Sequence, residues 1–238
     1  MFDQLDPTPS DSPSGSKQSA GRKLLGITIT TLAFAVPLAL FLILANAIRS
    51  NGPLPGDLAV LQIIHLFANP VMDHLMIGIT MLGDAEIVVP LLAIVAAILY
   101  LKFKKRKQAV FLALAAGGTA AINVAFKHVF QRDRPELWQH LVNETSFSFP
   151  SGHAMITSSL ALTLIILCWH TRYRWWAVAS GIIYCLLIGF SRLYLGVHYP
   201  SDILAGWCVS VLWVGIVYLV FRQFGLAPSA PTPTSSPR

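Results

Sequence analysis

Three short polar segments of this chain combine histidine, aspartate, lysine and arginine at defined spacings. They run from Lys127 to Pro135, from Pro150 to His153 and from Ser191 to Asp202, and each adjoins a long apolar run. Fixed cations and helix N-terminal amides bind anions, and a histidine paired with a carboxylate can act as a nucleophile. Together these residue types are typical of phosphoryl transfer, in which catalysis depends mainly on positioning and charge stabilisation.

The first segment supplies two fixed positive charges. Lys127 and Arg134 are spaced seven residues apart. Pro135 directly follows Arg134 and ends any helix at that point. Cations spaced in this way can hold one anion from two directions. Taken alone, the pair is weak support for a site, because lysine and arginine beside a membrane usually anchor a helix.

The second segment predicts a helix N-terminus that can bind an anion. Ser151 is a suitable capping residue, Gly152 allows close approach to the backbone, and the free amides of the first turn form a phosphate-sized site. His153 would face that anion from the first turn. The alternative is a histidine that simply ends a loop.

The third segment predicts an oriented nucleophile. Pro200 is expected at the first position of a helix, so Asp202 lies in the first turn and can reach back to His198. A carboxylate bonded to one imidazole nitrogen leaves the other nitrogen free to attack. A purely structural pair, with Asp202 serving the helix dipole, is the alternative. No carboxylate cluster suited to a two-metal site accompanies the segments, so we expect neither metal nor cofactor.

The elements that position these segments must be membrane helices. Hydrophobic residues make up 55% of the 238 residues and charged residues 12%, whereas a soluble domain has about 25% charged residues. This composition excludes a soluble enzyme. The net charge of +6 comes from short basic clusters between apolar runs, which indicates loops beside anionic lipid and not nucleic-acid binding.

Six apolar runs predict an all-α, polytopic membrane protein with a bundle of six transmembrane helices. The second run is interrupted by Gly83, Asp84 and Glu86, and the two carboxylates are interpreted as helix-start residues in preference to lining the substrate mouth. Before it, residues 58–68 predict an interfacial amphipathic helix. The six runs are Leu24 to Ile48, Leu75 to Leu101, Ala109 to Phe126, Ala154 to Trp169, Trp175 to Phe190 and Ile203 to Phe221.

The distribution of positive charge predicts the topology. Most of the 17 lysines and arginines lie in the termini or in the loops on the same side, including the loop of residues 102–107. The positive-inside rule therefore places both termini in the cytoplasm and the three polar segments on the outer face. The cations assigned to the outer side are Arg49, Lys127, Arg132, Arg134 and Arg192.

At these residues the chain resembles the type 2 phosphatidic acid phosphatase superfamily. The three signatures of that family, Lys-x6-Arg-Pro, Pro-Ser-Gly-His and Ser-Arg-x5-His-x3-Asp, occur in order without a substitution, and the resemblance covers roughly residues 75–221. It implies a six-helix membrane bundle and a lipid phosphatase. The implied substrates are phosphatidic acid, phosphatidylglycerol phosphate or undecaprenyl diphosphate, with the last slightly favoured by family analogy.

The resemblance also implies residue roles. His198 would be the nucleophile that forms a phosphohistidine, Asp202 would orient it, and His153 would protonate the leaving oxygen and then help to activate water. The residues implied to hold the phosphoryl oxygens are Lys127, Arg134, Ser151, Gly152 and Arg192.

Four regions are predicted along the chain. Residues 1–20 and 227–238 are expected to be disordered cytoplasmic tails, residues 21–56 the first transmembrane helix with an outer loop, and residues 57–226 the phosphatase-type bundle core. Vanadium haloperoxidases share the signature but are soluble, and a non-catalytic lipid-binding or transport relative would be expected to lose one of the two histidines. The expected partners are a lipid phosphate substrate and membrane lipids; the oligomeric state is left open.

Overall fold

A computed structural model describes residues 14–51 and 54–226, and these residues form helices without strands, which confirms the all-α class. The first described helix begins at Ser14. Of the two tails predicted to be disordered, residues 1–13 and 227–238 lie outside the described part. The helices are α1 (Ser14–Asn51), α2 (Pro55–His65), α3 (Pro70–Met81), α4 (Ala85–Leu101), α5 (Arg106–Phe130), α6 (Gly152–Cys168), α7 (Arg174–Tyr194) and α8 (Pro200–Gln223).

Among the described residues, five helical segments are long and apolar enough to cross a membrane, so the chain is an integral membrane protein. The helix α6 is apolar but has only 17 residues. Large apolar side chains on the outside of the bundle are exposed, for example Ile43 at 65% and Trp176 at 76%. The spanning segments are Leu24–Arg49, Pro70–Leu101, Arg106–Phe130, Arg174–Tyr194 and Pro200–Gln223.

The second apolar run is not one continuous helix. It breaks between Met81 and Ala85, where a turn separates α3 from α4. A Cβ atom on Gly83 would lie 2.8 Å from a methyl carbon of Ile188 and 3.1 Å from the imidazole ring of His153. The break therefore needs glycine, and it brings the start of α4 against the start of α6.

The interior of the bundle is built around α6, which packs against α5, α7 and α8. Its buried face carries small and hydroxyl residues that let neighbouring helices approach closely. The Thr119 hydroxyl on α5 donates to Ser159 Oγ at 3.0 Å, and Ser210 on α8 donates to the Met155 carbonyl at 2.8 Å. These hydrogen bonds between helices fix α6 as the central element of the site.

The first and last helices of the described part pack together. The helix α1 lies along α8, and Phe41 joins a buried apolar cluster with Phe149 and Val209. The predicted division at residue 56 is therefore not a boundary in the packing. The amphipathic helix predicted for residues 58–68 is present as α2 but begins at Pro55, and it packs against α7 and α8.

Candidate active site

The three polar segments meet at one end of the bundle. The helix α5 ends at Gln131, which has a positive φ of 44°, and residues 131–151 then cross irregularly to α6. An Arg134 Nη1 donates to the Val197 carbonyl at 2.7 Å, and the Ser151 amide donates to the Asp202 carbonyl at 3.2 Å. These contacts tie the first and second segments to the third.

His198 and Asp202 form a buried pair at the start of α8. The Nδ1 atom of His198 lies 3.4 Å from Asp202 Oδ2, and the opposite ring nitrogen, Nε2, lies 3.2 Å from Nη1 of Arg134. A guanidinium only donates hydrogen bonds, so Nε2 is the acceptor and we assign the ring proton to Nδ1, facing the carboxylate. Burial, together with the charges of Arg134 and Arg192, holds the pKa of His198 well below its ordinary value. The imidazole is thus neutral, with the lone pair of Nε2 directed towards Arg134.

Asp202 is held by further hydrogen bonds. Its Oδ2 accepts from the Ser148 hydroxyl and, at 2.8 Å, from the Tyr199 amide. Its Oδ1 accepts from Arg132 Nη1 at 2.5 Å. Because both carboxylate oxygens are engaged, the side chain that orients His198 is itself fixed.

A second buried carboxylate lies behind Asp202. Asp57 on α2 accepts from Arg132 Nη2 at 2.8 Å and from the amide and hydroxyl of Ser201 at 3.0 and 2.5 Å. The Arg132 guanidinium also lies 4.0 Å from the ring centroid of Tyr199. The sequence assigned Arg132 only to the outer side and gave Asp57 no role, so this part of the site was missed.

Three cations, Lys127, Arg134 and Arg192, lie close enough to His198 to affect its charge state. Lys127 Nζ donates to Ser146 Oγ at 2.6 Å, and Arg134 donates from Nε to the Ser146 carbonyl at 2.8 Å. Arg192 is 1% exposed and donates to Thr80 Oγ1 at 2.8 Å. The predicted phosphate-binding cations therefore converge, although they come from α5, the following loop and α7.

Glu144 bridges two of these cations and was also missed as a site residue. It belongs to none of the three polar segments, so the sequence predicted no role for it in the site. Burial alone would raise the pKa of Glu144, but Arg192 and Arg134 outweigh that effect and lower the pKa to about 2. The carboxylate is therefore ionised at neutral pH.

His153 lies in the first turn of α6 and is paired with Asp84. The distance from His153 Nε2 to Asp84 Oδ1 is 2.6 Å. Asp84 is also the N-cap residue of α4, as its interpretation as a helix-start carboxylate predicted. The contact with His153 is an additional pairing that the sequence did not predict. The turn at Gly83 brings Asp84 to the site, a contact that no local pattern could indicate.

Ser151 and Gly152 occupy the predicted positions at the start of α6. Ser151 is the N-cap, and its side chain accepts from the Ala154 amide at 3.4 Å. A Cβ atom on Gly152 would lie 3.1 Å from Asn123 Oδ1, so the amide of Asn123 rests close to this glycine. Asn123 in turn donates to the Pro150 carbonyl at 3.0 Å and steadies the turn before the helix.

A cavity of about 540 Å³ opens beside these groups. Lys127, Arg134, Glu144 and Ser146 are among the residues that line it. Within residues 14–51 and 54–226, no three His, Cys, Asp or Glu side chains are grouped so as to hold a metal ion. These residues could supply a histidine nucleophile beside a site that binds an anion.

Sequence comparison identifies the family. The pattern of the PAP2 superfamily matches residues 108–225. A phosphatidylglycerophosphatase B from Bacillus subtilis (strain 168) is 34% identical over 180 residues, which are 72% of this chain and 86% of that protein. The chain belongs to the PAP2 superfamily. The resemblance read from the three signatures is thereby confirmed.

Two further PAP2-related proteins extend the comparison. An undecaprenyl-diphosphatase from Sulfolobus acidocaldarius is 28% identical over 199 residues, which are 79% of this chain and 90% of that protein. The crystal structure of a transmembrane PAP2 type phosphatidylglycerolphosphate phosphatase from Bacillus subtilis superimposes with a TM-score of 0.71 at 31% identity, covering 79% of this chain and 96% of that one. The bundle is thus the fold of a PAP2 membrane phosphatase.

The PAP2 match leaves out part of the site. Asp57, Thr80 and Asp84 all precede residue 108, yet each contacts a residue of the three signatures or of the loop between them. The helices before the matched segment therefore contribute polar groups as well as packing.

Proposed function

We propose that this protein is a membrane phosphatase that hydrolyses a phosphate or diphosphate on a long lipid through a phosphohistidine. The observation that carries the proposal is the geometry of His198, whose Nδ1 faces Asp202 and whose Nε2 faces Arg134. A neutral imidazole oriented in this way presents its lone pair to any phosphorus bound among the three cations.

In the first step the Nε2 lone pair attacks phosphorus as the bond from phosphorus to the leaving oxygen breaks. The leaving oxygen takes a proton from His153. The negative charges of Asp84 and of a bound phosphate favour the protonated form of this histidine, so it can act as the general acid. The proton on Nδ1 of His198 stays between the ring and Asp202, whose negative charge stabilises the charged phosphohistidine. The lipid alcohol, or the lipid monophosphate when the substrate is a diphosphate, departs.

In the second step water replaces the lipid. His153 is now neutral and accepts a proton from the water, whose oxygen attacks phosphorus while the bond from phosphorus to Nε2 breaks. Orthophosphate leaves, and both histidines return to their starting states. The retention of His198 and His153 favours this reaction over a non-catalytic binding or transport role.

The cations supply the charge stabilisation, so we propose that turnover needs no divalent metal. Lys127, Arg134 and Arg192 together bring three positive charges to the phosphoryl oxygens, a task that metal ions perform in other phosphoryl-transfer sites. Dialysis against a chelator should leave phosphate release unchanged. Loss of activity that only Mg²⁺ or Mn²⁺ restores would contradict this part of the proposal.

The proposed substrate class follows from the depth of the site in the membrane. Lys127, Arg192 and His198 lie at or within a turn of the ends of membrane-spanning helices, so a phosphate bound beside them would be held at headgroup level while its chain stays in hydrocarbon. The related phosphatidylglycerophosphatase and undecaprenyl-diphosphatase support a lipid substrate. We favour a polyprenyl diphosphate, with phosphatidic acid and phosphatidylglycerol phosphate as alternatives. A panel of these lipids competed against soluble phosphate esters tests the class, which fails if a soluble ester has the highest kcat/KM.

We propose six spans, with α6 as the sixth, both termini in the cytoplasm and the site on the outer face. The charge distribution supports this topology. Single cysteines at Glu136 and Lys105, in a chain lacking Cys168, Cys185 and Cys208, can be tested with a membrane-impermeant thiol reagent on intact cells. Labelling at residue 105 and not at residue 136 would reverse the topology.

The intermediate offers the most direct test of the proposal. Protein mixed with substrate labelled in its reacting phosphate and quenched in alkali should carry the label on His198, because a phosphohistidine is stable in base. The His198→Ala protein should carry none. Rapid turnover by wild-type protein with no label on any histidine would overturn the covalent mechanism.

A further inference from the structure

Glu144 lies where a substrate phosphate would have to bind. Its Oε2 accepts from Arg134 Nη2 at 3.1 Å, and its Oε1 accepts from Arg192 Nη2. The other terminal nitrogen of Arg134 lies 3.2 Å from Nε2 of His198. A single guanidinium therefore separates this carboxylate from the nucleophile.

The carboxylate already makes the contacts that phosphoryl oxygens would make. Two oxygens on one group accept from two guanidinium groups, which is the pattern by which arginine binds phosphate. The Glu144 side chain is 20% exposed, whereas Arg192 is 1% exposed. Glu144 is thus the more accessible member of the cluster, and it belongs to the irregular segment between α5 and α6, so it is the group that can withdraw.

We propose that Glu144 is a specificity-determining residue that reserves the cationic site for doubly charged phosphates; the proposal rests on the proposed function. A phosphodiester headgroup carries one negative charge, whereas a phosphomonoester carries about −1.5 to −2 at pH 7. When a phosphodiester replaces the Glu144 carboxylate at the two arginines, one singly charged group replaces another, so the binding free energy gains little. Exchange for a terminal phosphate or diphosphate adds negative charge beside three cations and is favourable.

The neighbouring lipids make this selection against phosphodiesters necessary. The site lies at the level of lipid headgroups, and most phospholipids of a membrane are phosphodiesters. An unoccupied pair of guanidinium groups would bind these abundant anions and become blocked. Glu144 prevents this because it is held at the site at high local concentration.

The competing explanation is a purely structural role for Glu144, and it predicts the opposite change in phosphate affinity when Glu144 is neutralised. If Glu144 only holds Arg134 and Arg192 together, its neutralisation lets the two cations separate by repulsion and weakens phosphate binding. If it competes with phosphate, its neutralisation strengthens binding. The two explanations can therefore be separated by a binding measurement alone.

The experiment compares Glu144→Gln with Glu136→Gln, a matched control on an exposed glutamate of the same loop. Titration calorimetry with orthophosphate on purified protein in detergent should give a Kd about tenfold lower for Glu144→Gln than for wild type. The control should match wild type. An unchanged or higher Kd for Glu144→Gln would overturn the proposal. This titration needs no turnover, so absence of phosphatase activity would reject the proposed function without deciding the role of Glu144.

The second measurement tests selectivity on the working enzyme. Phosphate release from a lipid phosphomonoester is measured in micelles with increasing amounts of phosphatidylglycerol, which is a phosphodiester. An uncharged lipid keeps the total lipid concentration constant. Wild type and Glu136→Gln should resist inhibition, and Glu144→Gln should be inhibited. Equal inhibition of all three proteins would overturn the selection against phosphodiesters even if phosphate binding tightened.

A variant that keeps the charge covers the case in which Glu144→Gln fails to fold. Glu144→Asp is shorter by one methylene and cannot reach both guanidinium groups. It should bind orthophosphate more tightly than wild type, though by a smaller factor than the glutamine variant. Binding as weak as that of wild type, or weaker, would overturn the proposal.

Discussion

The site contains two histidine–aspartate pairs that differ in their surroundings. In the pair of His198 and Asp202 the side chains are 1% and 0% exposed, and Asp202 accepts hydrogen bonds from three further groups. In the pair of His153 and Asp84 the side chains are 15% and 38% exposed. The ring nitrogen and the carboxylate oxygen are 3.4 Å apart in the first pair and 2.6 Å apart in the second.

The difference matches two different tasks. A nucleophile must keep one direction and one proton arrangement, and complete burial with fixed partners achieves this. An acid that later acts as a base must lose a proton and recover it, so access to water is useful. The predictions below test this division, beginning with the largest expected effect.

Removal of the buried nucleophile should abolish turnover. The His198→Ala protein is expected to lose activity by about 10⁴-fold or more, because the proposed nucleophile is gone. Phosphate release measures the loss, and the unfolding temperature in detergent shows whether the bundle persists. Activity near that of wild type in the folded variant would reject His198 as the nucleophile.

Removal of the buried cation should damage the fold as well as the site. In Arg132→Met two carboxylates, Asp57 and Asp202, lose their shared partner, and the expected loss of stability is about 3–5 kcal/mol. Denaturant unfolding of the purified protein measures it. Asp133→Asn, at the neighbouring exposed position, is the control and should change stability little. A loss no larger than that of the control would mean that the network contributes little.

A weaker effect is expected at the open pair. Asp84→Asn should lower kcat by about tenfold with lipid substrates, because it disturbs the orientation and protonation of His153. The defect should nearly disappear with a phosphate ester whose leaving group is an acidic phenol, since such an oxygen needs no proton. Glu86→Gln is the control. An equal loss with both kinds of substrate would show that Asp84 acts through structure and not through the acid.

The smallest effect concerns pH and stability. The folded-state pKa of His198 lies well below its ordinary value of 6.5, so below that pH the unfolded chain takes up a proton that the folded chain does not. The free energy of unfolding should therefore fall as the pH is lowered from 7 to 5, by at most about 1.4 kcal/mol per pH unit from this group. The His198→Gln protein should show a flatter dependence. His128→Gln, at an exposed histidine, should keep the slope of wild type, and identical slopes in all three would contradict the buried neutral imidazole.

The sequence predicted those features that depend on local patterns. Long uncharged runs required membrane helices, and Pro200 and Ser151 correctly marked the starts of α8 and α6. The three signatures identified the family. The catalytic and binding roles drawn from them stay predictions until the variants are tested.

The partners of Asp57 and Asp84 could not be predicted because they lie far away along the chain. Asp57 lies 75 residues before Arg132, and Asp84 lies 69 residues before His153. Hydrophobic periodicity indicates which face of a helix is buried but not which distant polar group meets it. A carboxylate in the first turn of an apolar helix, as Asp57 is after Pro55, is the signal that could have indicated a buried partner.

The packing of α1 along α8 has a consequence for biosynthesis. Helices leave the ribosome in chain order, so the first helix enters the membrane long before its partner exists. Phe41 cannot contact Phe149 and Val209 until those residues have been synthesised, and the same holds for Asp57 and Ser201. Contacts between residues so distant in sequence form late. A nascent chain halted before its final span would thus hold three helices or more in the bilayer and still lack the means to cleave a phosphate.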